Sequence, residues 1–340
     1  MIGKGVPAPI LIRFEAHLLA GASAPPVLSA RRCPPPAVPS SMASDVLPRA
    51  SVRPTREQLL ADFGEEYLSI QSLFQFCFVP GGRLTLLKEL TPVEEWGMNN
   101  FVLLKYLAVH IRLAMEQGRY AWNGEQIVLT AGRLFSTKGV PVYAGLVRNS
   151  TPNENPWVLN WVGERPSTAE LPEPAELGTW PVLDARNEVV IACDLASDER
   201  RSQLGKLAEI SAVAQSAALA GAIHWALHRN LAVRQIHGGG RGYFVPVYLS
   251  SREDLTVGPD LVAPVQVQSD RLIVRTLLDP HVAYSPARAV VERWEQLPSW
   301  LLDAWDEATE GNASSAGSLD STQEAADLEG DGEGEPEGDG

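Results

Sequence analysis

From Ile210 to Leu227 the chain runs eighteen positions without Asp, Glu, Lys or Arg, and no other segment restricts the fold so strongly. That length formally meets the requirement for crossing a bilayer. Its residues, however, are chiefly Ala, Ser, Gly, Gln and His rather than Leu and Phe, and Glu209, Gln215 and His224 would be costly in hydrocarbon. A helix that is small and uncharged on every side suits burial against a sheet instead. The segment therefore predicts a long helix over about 199–230, set inside a soluble domain as its organising element, with no membrane contact.

The flanking sequence supplies the sheets. After Asn230, β-rich runs near 232–237, 243–249, 261–268 and 271–278 are separated by Gly238–Gly242, by Val257-Gly258-Pro259-Asp260 and by Ser269-Asp270, the punctuation of an antiparallel meander. Asp279-Pro280 then opens a helix that ends by Pro298. Upstream, Thr55 is a helix N-cap ahead of Leu59, Leu60, Phe63 and Tyr67. A helix over about 97–117 places Phe101, Leu104, Leu107, Val109, Ile111 and Met115 mostly on one side and stops at Gly118. Strands at Gln126–Thr130, Val140–Val147 and Pro156–Val162 follow, the first entered through an Asn123-Gly124 turn. A loop with Pro166, Pro172, Pro174 and Pro181 joins the halves and holds only a short strand at Val189–Cys193. The predicted class is α+β: two helix-plus-antiparallel-meander halves packed around the small-residue helix, with disordered N- and C-terminal ends.

Charge divides the chain in the same way. Residues 1–50 carry +3, residues 303–340 carry thirteen acids and no base, and 51–302 is left with −4. The low pI of about 4.9 thus describes the tail, and the folded body at 54–302 is close to neutral. Tail composition cannot repay ordering entropy, so 303–340 is expected to be an acidic disordered segment. Residues 1–53 are read as a disordered or mis-annotated extension, with Met1 and Met42 both available as translation starts. Arg13, Glu15 and His17 interrupt the apolar run of what would otherwise mimic a secretory signal; an organelle transit peptide is the alternative. Cys33, Cys77 and Cys193 are unclustered, which argues against a disulfide framework or zinc knuckle and suits a cytoplasmic setting.

Several short segments carry a family resemblance. They are Leu104-Lys105-Tyr106-Leu107, Thr130-Ala131-Gly132-Arg133-Leu134 leading to Pro141-Val142-Tyr143-Ala144, Phe244-Val245-Pro246-Val247-Tyr248-Leu249, and Thr276-Leu277-Leu278-Asp279 through Ala283-Tyr284 and Ala287-Arg288 to Trp300-Leu301. Over about 90–302 the chain resembles the bacterial domain-of-unknown-function family 3825. The family's Asn-Thr-Gly-Leu-like turn reads Thr130-Ala131-Gly132-Arg133-Leu134 here, so the Asn is absent. The resemblance implies an RNA connection through the winged-helix-like and cold-shock modules that accompany such domains, and it transfers no catalytic residue.

Four sets of residues are candidate sites. Asp279, His281, Tyr284 and Arg288 sit at a strand-to-helix junction at spacings that share one helix face, where Asp279 would cap, His281 act as acid or base, Tyr284 donate and Arg288 clamp an anion. The plain alternative is a cap, a core tyrosine and a paired arginine. Arg241-Gly242-Tyr243, with Phe244 and Tyr248, partly resembles an RNA-recognition strand whose aromatics stack on bases. With Arg271 and Arg275 these form the candidate nucleic-acid surface; residues 229–293 hold eight arginines and no lysine against six acids, and pairing within the sheet is the alternative use. His224 and His228 are four apart on the small-residue helix, with His237, Asp279 or His281 as the third ligand a metal would need. Helix-end histidines facing the C-terminal dipole are the simpler reading, so no metal and no cofactor are expected. The Gly238–Gly242 loop feeds a strand, as a hairpin turn does, rather than the helix a phosphate loop requires. The sequence thus leaves two functions: a non-catalytic RNA-associated or regulatory module whose partner is RNA or a protein, and a hydrolase or nuclease built on the Asp279–Arg288 junction.

Overall fold

Local signals set many of the element boundaries. Thr55 and Gln58 form a reciprocal capping box that starts α1 (Arg56–Phe63), and Ser69 with Ser72 does the same for α2 (Ile70–Phe76). The computed structural model describes residues 52–64, 69–150, 155–166, 168, 170–237 and 240–311. Residues 1–51, 312–340 and Gly238-Gly239, on which the expectations of disordered ends and of a phosphate-type loop rest, lie outside these, as does Tyr67.

After α2 come β1 (Cys77–Phe78), α3 (Gly81–Leu90), α4 (Phe101–Gln117), β2 (Ala121–Trp122), β3 (Gln126–Phe135), β4 (Pro141–Arg148) and β5 (Trp157–Gly163). The second half holds β6 (Glu188–Ile191), α5 (Asp198–Leu204), α6 (Ala212–Leu227), β7 (Val233–His237), β8 (Gly240–Val247), β9 (Leu261–Gln268), β10 (Arg271–Val274) and α7 (Tyr284–Arg288). A last helix, α8, occupies residues 299–311. The first sheet has strand order β1-β5-β4-β3-β2 and the second β6-β10-β9-β8-β7. The class is α+β, and the two meanders fall where the turn residues place them. Each meander gains one parallel edge strand, β1 beside β5 and β6 beside β10.

The layers explain the burial. Helix α4 packs on β3 of the first sheet and on α7, and α7 packs on β7 of the second. Ile236, Phe244 and Val262 of the second sheet therefore join the first core. Val245, Val247, Ala263 and Val265, which point the other way, form a second core with Leu219, Ile223 and Ala226 of α6. The central helix is α4, buried from Val102 to Met115 on nearly every side, because Leu, Val, Ile, Tyr and Met fill its whole circumference rather than one stripe.

The small-residue helix differs from expectation in three ways. Its start is Ala212, capped by Ser211, and the preceding segment Asp198–Glu209 meets it at 95°, so no single helix among the described residues is long and apolar enough to cross a membrane. It covers one face of the second sheet rather than joining both halves. Its outer side, with Val213, Ala217 and Gly221, is exposed. Small side chains there allow close approach on one side only. The acidic C-terminal segment also begins later than 303, since α8 runs to residue 311.

Ala226 is fully buried and Ala217 is exposed. Ala226→Leu is expected to lower stability by about 1–3 kcal/mol through overpacking, whereas Ala217→Leu stays within about 0.5 kcal/mol; denaturant unfolding of both variants checks the assignment of faces.

Candidate functional site

Of the junction highlighted by the sequence, Tyr284 and Arg288 share one partner, and it lies 194 residues from Arg288. Arg288 Nε and Nη2 donate to the two carboxylate oxygens of Glu94 at 2.5 and 2.8 Å, and both side chains are almost completely buried. Nη1 donates to the Val291 carbonyl at 3.1 Å, and the Tyr284 hydroxyl donates to Glu94 at 3.2 Å. The guanidinium lies 5.1 Å from both the Trp96 and Tyr106 ring centroids, which meet edge to face at 6.2 Å on the same side of it. Trp305 of α8 stacks on Tyr284 at 4.6 Å and donates its indole N–H to the Glu95 carbonyl. All three guanidinium nitrogens of Arg288 have a partner, and its side chain is 2% exposed, so it does not present a free face to solvent.

The other two members stand apart from this pair. Asp279 makes no side-chain cap; its carboxylate accepts from Gln203 at 3.1 Å. His281 is half-buried in the 3-10 turn Pro280–Ala283, which interrupts the helical spacing that would have aligned it with Tyr284 and Arg288. The junction is thus a buried tie between α7, the segment before α4 and α8.

Three of the segments behind the family resemblance meet beside it. Gly132 has φ of +66° in a β3 bulge, where a side chain would strike Tyr106 and His110 at 2.6–2.8 Å. The next residue, Arg133, donates its backbone N–H to the Tyr106 hydroxyl at 2.7 Å. His110 shares a 3.0 Å hydrogen bond with the Ala289 carbonyl and packs its ring 4.3 Å from Tyr106.

The charges follow from this burial. Desolvation lowers the His110 imidazole to about 3, outweighing its bond to Ala289, with Arg288 and Arg133 adding repulsion. Burial pushes the Glu94 carboxyl above its ordinary value against the pull of Arg288 and Tyr284. Burial alone would lower the Arg288 guanidinium; the Glu94 carboxylate outweighs it and holds it above its ordinary value.

The candidate nucleic-acid strand is rearranged as well. Phe244 and Tyr248 are buried, because the second sheet is covered on one face by α6 and over much of the other by the first core. Tyr243 is 9% exposed and donates its hydroxyl to the Pro181 carbonyl at 2.7 Å. Arg241 donates to the Leu177 carbonyl and lies against Gly178, whose φ of +73° leaves that space open. No aromatic of this strand offers a free face for a base. Arg271 pairs with Glu188 at 3.2 Å, and Arg275 donates to Gln266 at 3.2 Å. For the histidine pair, ring centroids are 6.5 Å apart and His224 Nδ1 bonds the Ala185 carbonyl at 3.1 Å. No group of three His, Cys, Asp or Glu side chains among the described residues is arranged to hold a metal.

A different site emerges where the proline-rich connection crosses the second sheet. Gln117 and Glu176 exchange side-chain and backbone hydrogen bonds at 2.7 and 2.8 Å, which anchors the connection to the end of α4. It then passes over β8 through the Arg241 and Tyr243 bonds and leaves a groove of about 510 Å³ against the end of α6. Leu183, Leu227 and Ala232 line it with Tyr243, Asn230 and Arg186. Asp184 also lines it; Arg186 chelates its carboxylate at 2.6–3.2 Å and holds it near 2.

Two arginines are neighbours of lining residues, in the chain or across a strand pair. Arg229 lies in the chain between the lining residues Leu227 and Asn230, and its guanidinium stacks 4.1 Å from the Trp225 ring centroid. Arg234 is the cross-strand partner of Tyr243 and stacks 5.3 Å from Trp180, whose indole N–H donates to the Gln235 carbonyl. Both are exposed, and neither has a carboxylate partner among the described residues. The sequence reading passed over them. Trp225 and Arg229, four apart on one helix, carried a legible signal; Trp180 and Arg234 meet only through the fold.

Compared with protein-family models, with curated proteins and with solved structures, the chain finds no match.

Two outcomes follow from the buried junction. Glu94→Gln leaves the Arg288 charge buried without its counterion and is expected to cost about 3–5 kcal/mol, read as a drop in denaturant midpoint. His110 is neutral in the fold to about pH 3, against about 6.5 when unfolded. Its stability contribution is complete above pH 6.5 and is lost progressively as pH falls toward 3, by at most about 1.4 kcal/mol per pH unit. Unfolding measured at pH 7 and pH 5 should therefore show a steeper loss for the native chain than for His110→Asn.

Proposed function

We propose that this chain is a non-catalytic binding module for single-stranded RNA, acting through the groove between residues 181–186 and the end of α6. One observation carries the reading: two exposed arginines, Arg229 and Arg234, stand within two residues of the lining residues Asn230 and Ala232, without a carboxylate partner among the described residues and each with its guanidinium over a tryptophan ring. Arg229 Nη1 donates to the Trp225 carbonyl at 3.5 Å, and a guanidinium held over a ring loses less freedom when its remaining N–H groups pair with a phosphate. RNA in single strands is also the nucleic acid whose bases and backbone reach surface grooves of this size.

Other features support the reading from outside the groove. The resemblance to family 3825 brings its RNA-associated company. Cys77 and Cys193 stand as free thiols, as in a cytoplasmic protein of the bacteria that carry such domains. The hydrolase or nuclease reading gains no comparable support, because Tyr284 and Arg288 are both bound to Glu94 and Asp279 to Gln203.

Titration of a fluorescent single-stranded RNA at two salt concentrations tests the proposal. Affinity should fall steeply with salt, and Arg229→Ala and Arg234→Ala should each weaken binding and reduce the logarithmic salt slope by roughly 0.7. Removing 312–340 takes away nine carboxylates and should strengthen binding. Absent or salt-insensitive binding by both forms would overturn it.

A further inference from the structure

The end of α4 and the start of β8 hold the proline-rich connection as a recognition cradle holds an extended peptide. Gln117 matches its amide to the backbone of Glu176, donating to the carbonyl at 2.7 Å and accepting from the N–H at 2.8 Å. Arg119 donates to the carboxylates of Glu173 and, at 2.9 Å, of Glu176. Ala175 and Leu177, two apart, are buried in the first core, and Arg241 donates to the Leu177 carbonyl. Main-chain hydrogen bonds give such a site its affinity, and buried side chains at alternate positions give it specificity. The gripped sequence is Glu173-Pro174-Ala175-Glu176-Leu177: an acid, a free position, alanine, an acid, leucine.

The same order occurs once more in the chain, at Glu324-Ala325-Ala326-Asp327-Leu328 of the acidic C-terminal segment. We infer that the cradle is an exchangeable site for this pattern, held by residues 173–177 and taken by 324–328 of the same chain when the connection lifts off β8. Each contact has its counterpart. Ala326 and Leu328 supply the apolar anchors, Glu324 and Asp327 the carboxylates for Arg119, and Asp327 the backbone N–H and carbonyl for Gln117. From the end of α8 at residue 311 to Glu324 the chain spans at most about 45 Å. A domain of this size has a radius of gyration of about 18 Å, so the segment can reach across it. Two differences favour the connection while both compete. Pro174 fixes its own φ in advance, which Ala325 does not, and Asp327 is one methylene shorter than Glu176. The match ends at Leu328: Gly178 turns with φ of +73°, where a side chain would strike the Arg241 guanidinium at 2.8 Å, so Glu329 leaves the surface there. Residues 182–186 of the connection line the groove beside α6, so exchange would remove that wall and couple the acidic segment to the groove.

Hydrogen–deuterium exchange of the full-length chain, without RNA, tests the exchange of segments. In the native chain 175–177 should be protected and 324–328 close to the free rate. Glu173→Gln combined with Glu176→Gln removes both carboxylates of the connection; these side chains are 75% and 71% exposed, so the fold should persist and the melting point should stay close to native. In that variant protection should fall at 175–177 and rise roughly fivefold at 324–328, the scale of two lost exposed ion pairs. Either substitution alone should give the same shift to a smaller degree. Adding Leu328→Asp, which lies outside the folded body, should return 324–328 to the free rate and leave melting unchanged. Adding Arg119→Ala should do so as well. Free exchange at 324–328 in the single and double carboxylate variants would overturn the inference, as would protection there that survives Leu328→Asp. Protection that grows with protein concentration would place the segment on a second copy and overturn the exchange within one chain.

Discussion

The rest of the structure depends on the buried pair between Glu94 and Arg288. Removing two ions from water costs several kcal/mol each, and only close, multiply bonded geometry offsets it. That geometry is present: two guanidinium–carboxylate bonds, a third from Tyr284, a carbonyl for Nη1 and two aromatic rings beside the guanidinium. Because the carboxylate precedes α4 and the arginine closes α7, the pair can form only when the central helix and α7 are in register. Trp305 then covers Tyr284 from α8. A buried pair of this kind selects one arrangement of layers rather than adding much net stability, and it explains why the first core extends into the second sheet.

Sequence reasoning recovered the α+β class, both meanders and most strand limits, because turn residues and period-two patterns are local. The parallel edge strands β1 and β6 were not legible as such, since the partners that define them are far along the chain. The small-residue stretch drew attention through what it lacks. The true central helix, α4, looked amphipathic because its apolar residues were weighed by spacing, while His110 and Arg112 disguised the sides that are also buried. Residues 303–311 read as tail because Asp and Glu dominate them; Trp305 was the one residue that argued otherwise.

Tyr284 and Arg288 show how far a constellation of polar residues can be read. Their spacing put them on one face, and they do act together. Spacing cannot say whether the group they face is a ligand or a carboxylate nearly two hundred positions away. The aromatic strand failed for a related reason. Tyr243 and Phe244 are adjacent and so point to opposite faces, and a sheet covered by α6 on one side and by the first core on the other leaves neither face free there. Arg229 and Arg234, exposed and without a carboxylate partner among the described residues, lie outside every motif.

We propose a division of labour: Glu94, Tyr284 and Arg288 hold the fold, and the groove lined by residues 182–186, Leu227, Asn230 and Ala232 is the site for a ligand. Hydrogen–deuterium exchange of the full-length chain, with and without single-stranded RNA, tests it most directly. The account predicts that RNA slows exchange in residues 181–186 and 227–235 and leaves 279–291, already protected, unchanged. Protection centred instead on 279–291, or on 266–275 around the β9–β10 turn, with no change at 227–235, would contradict it.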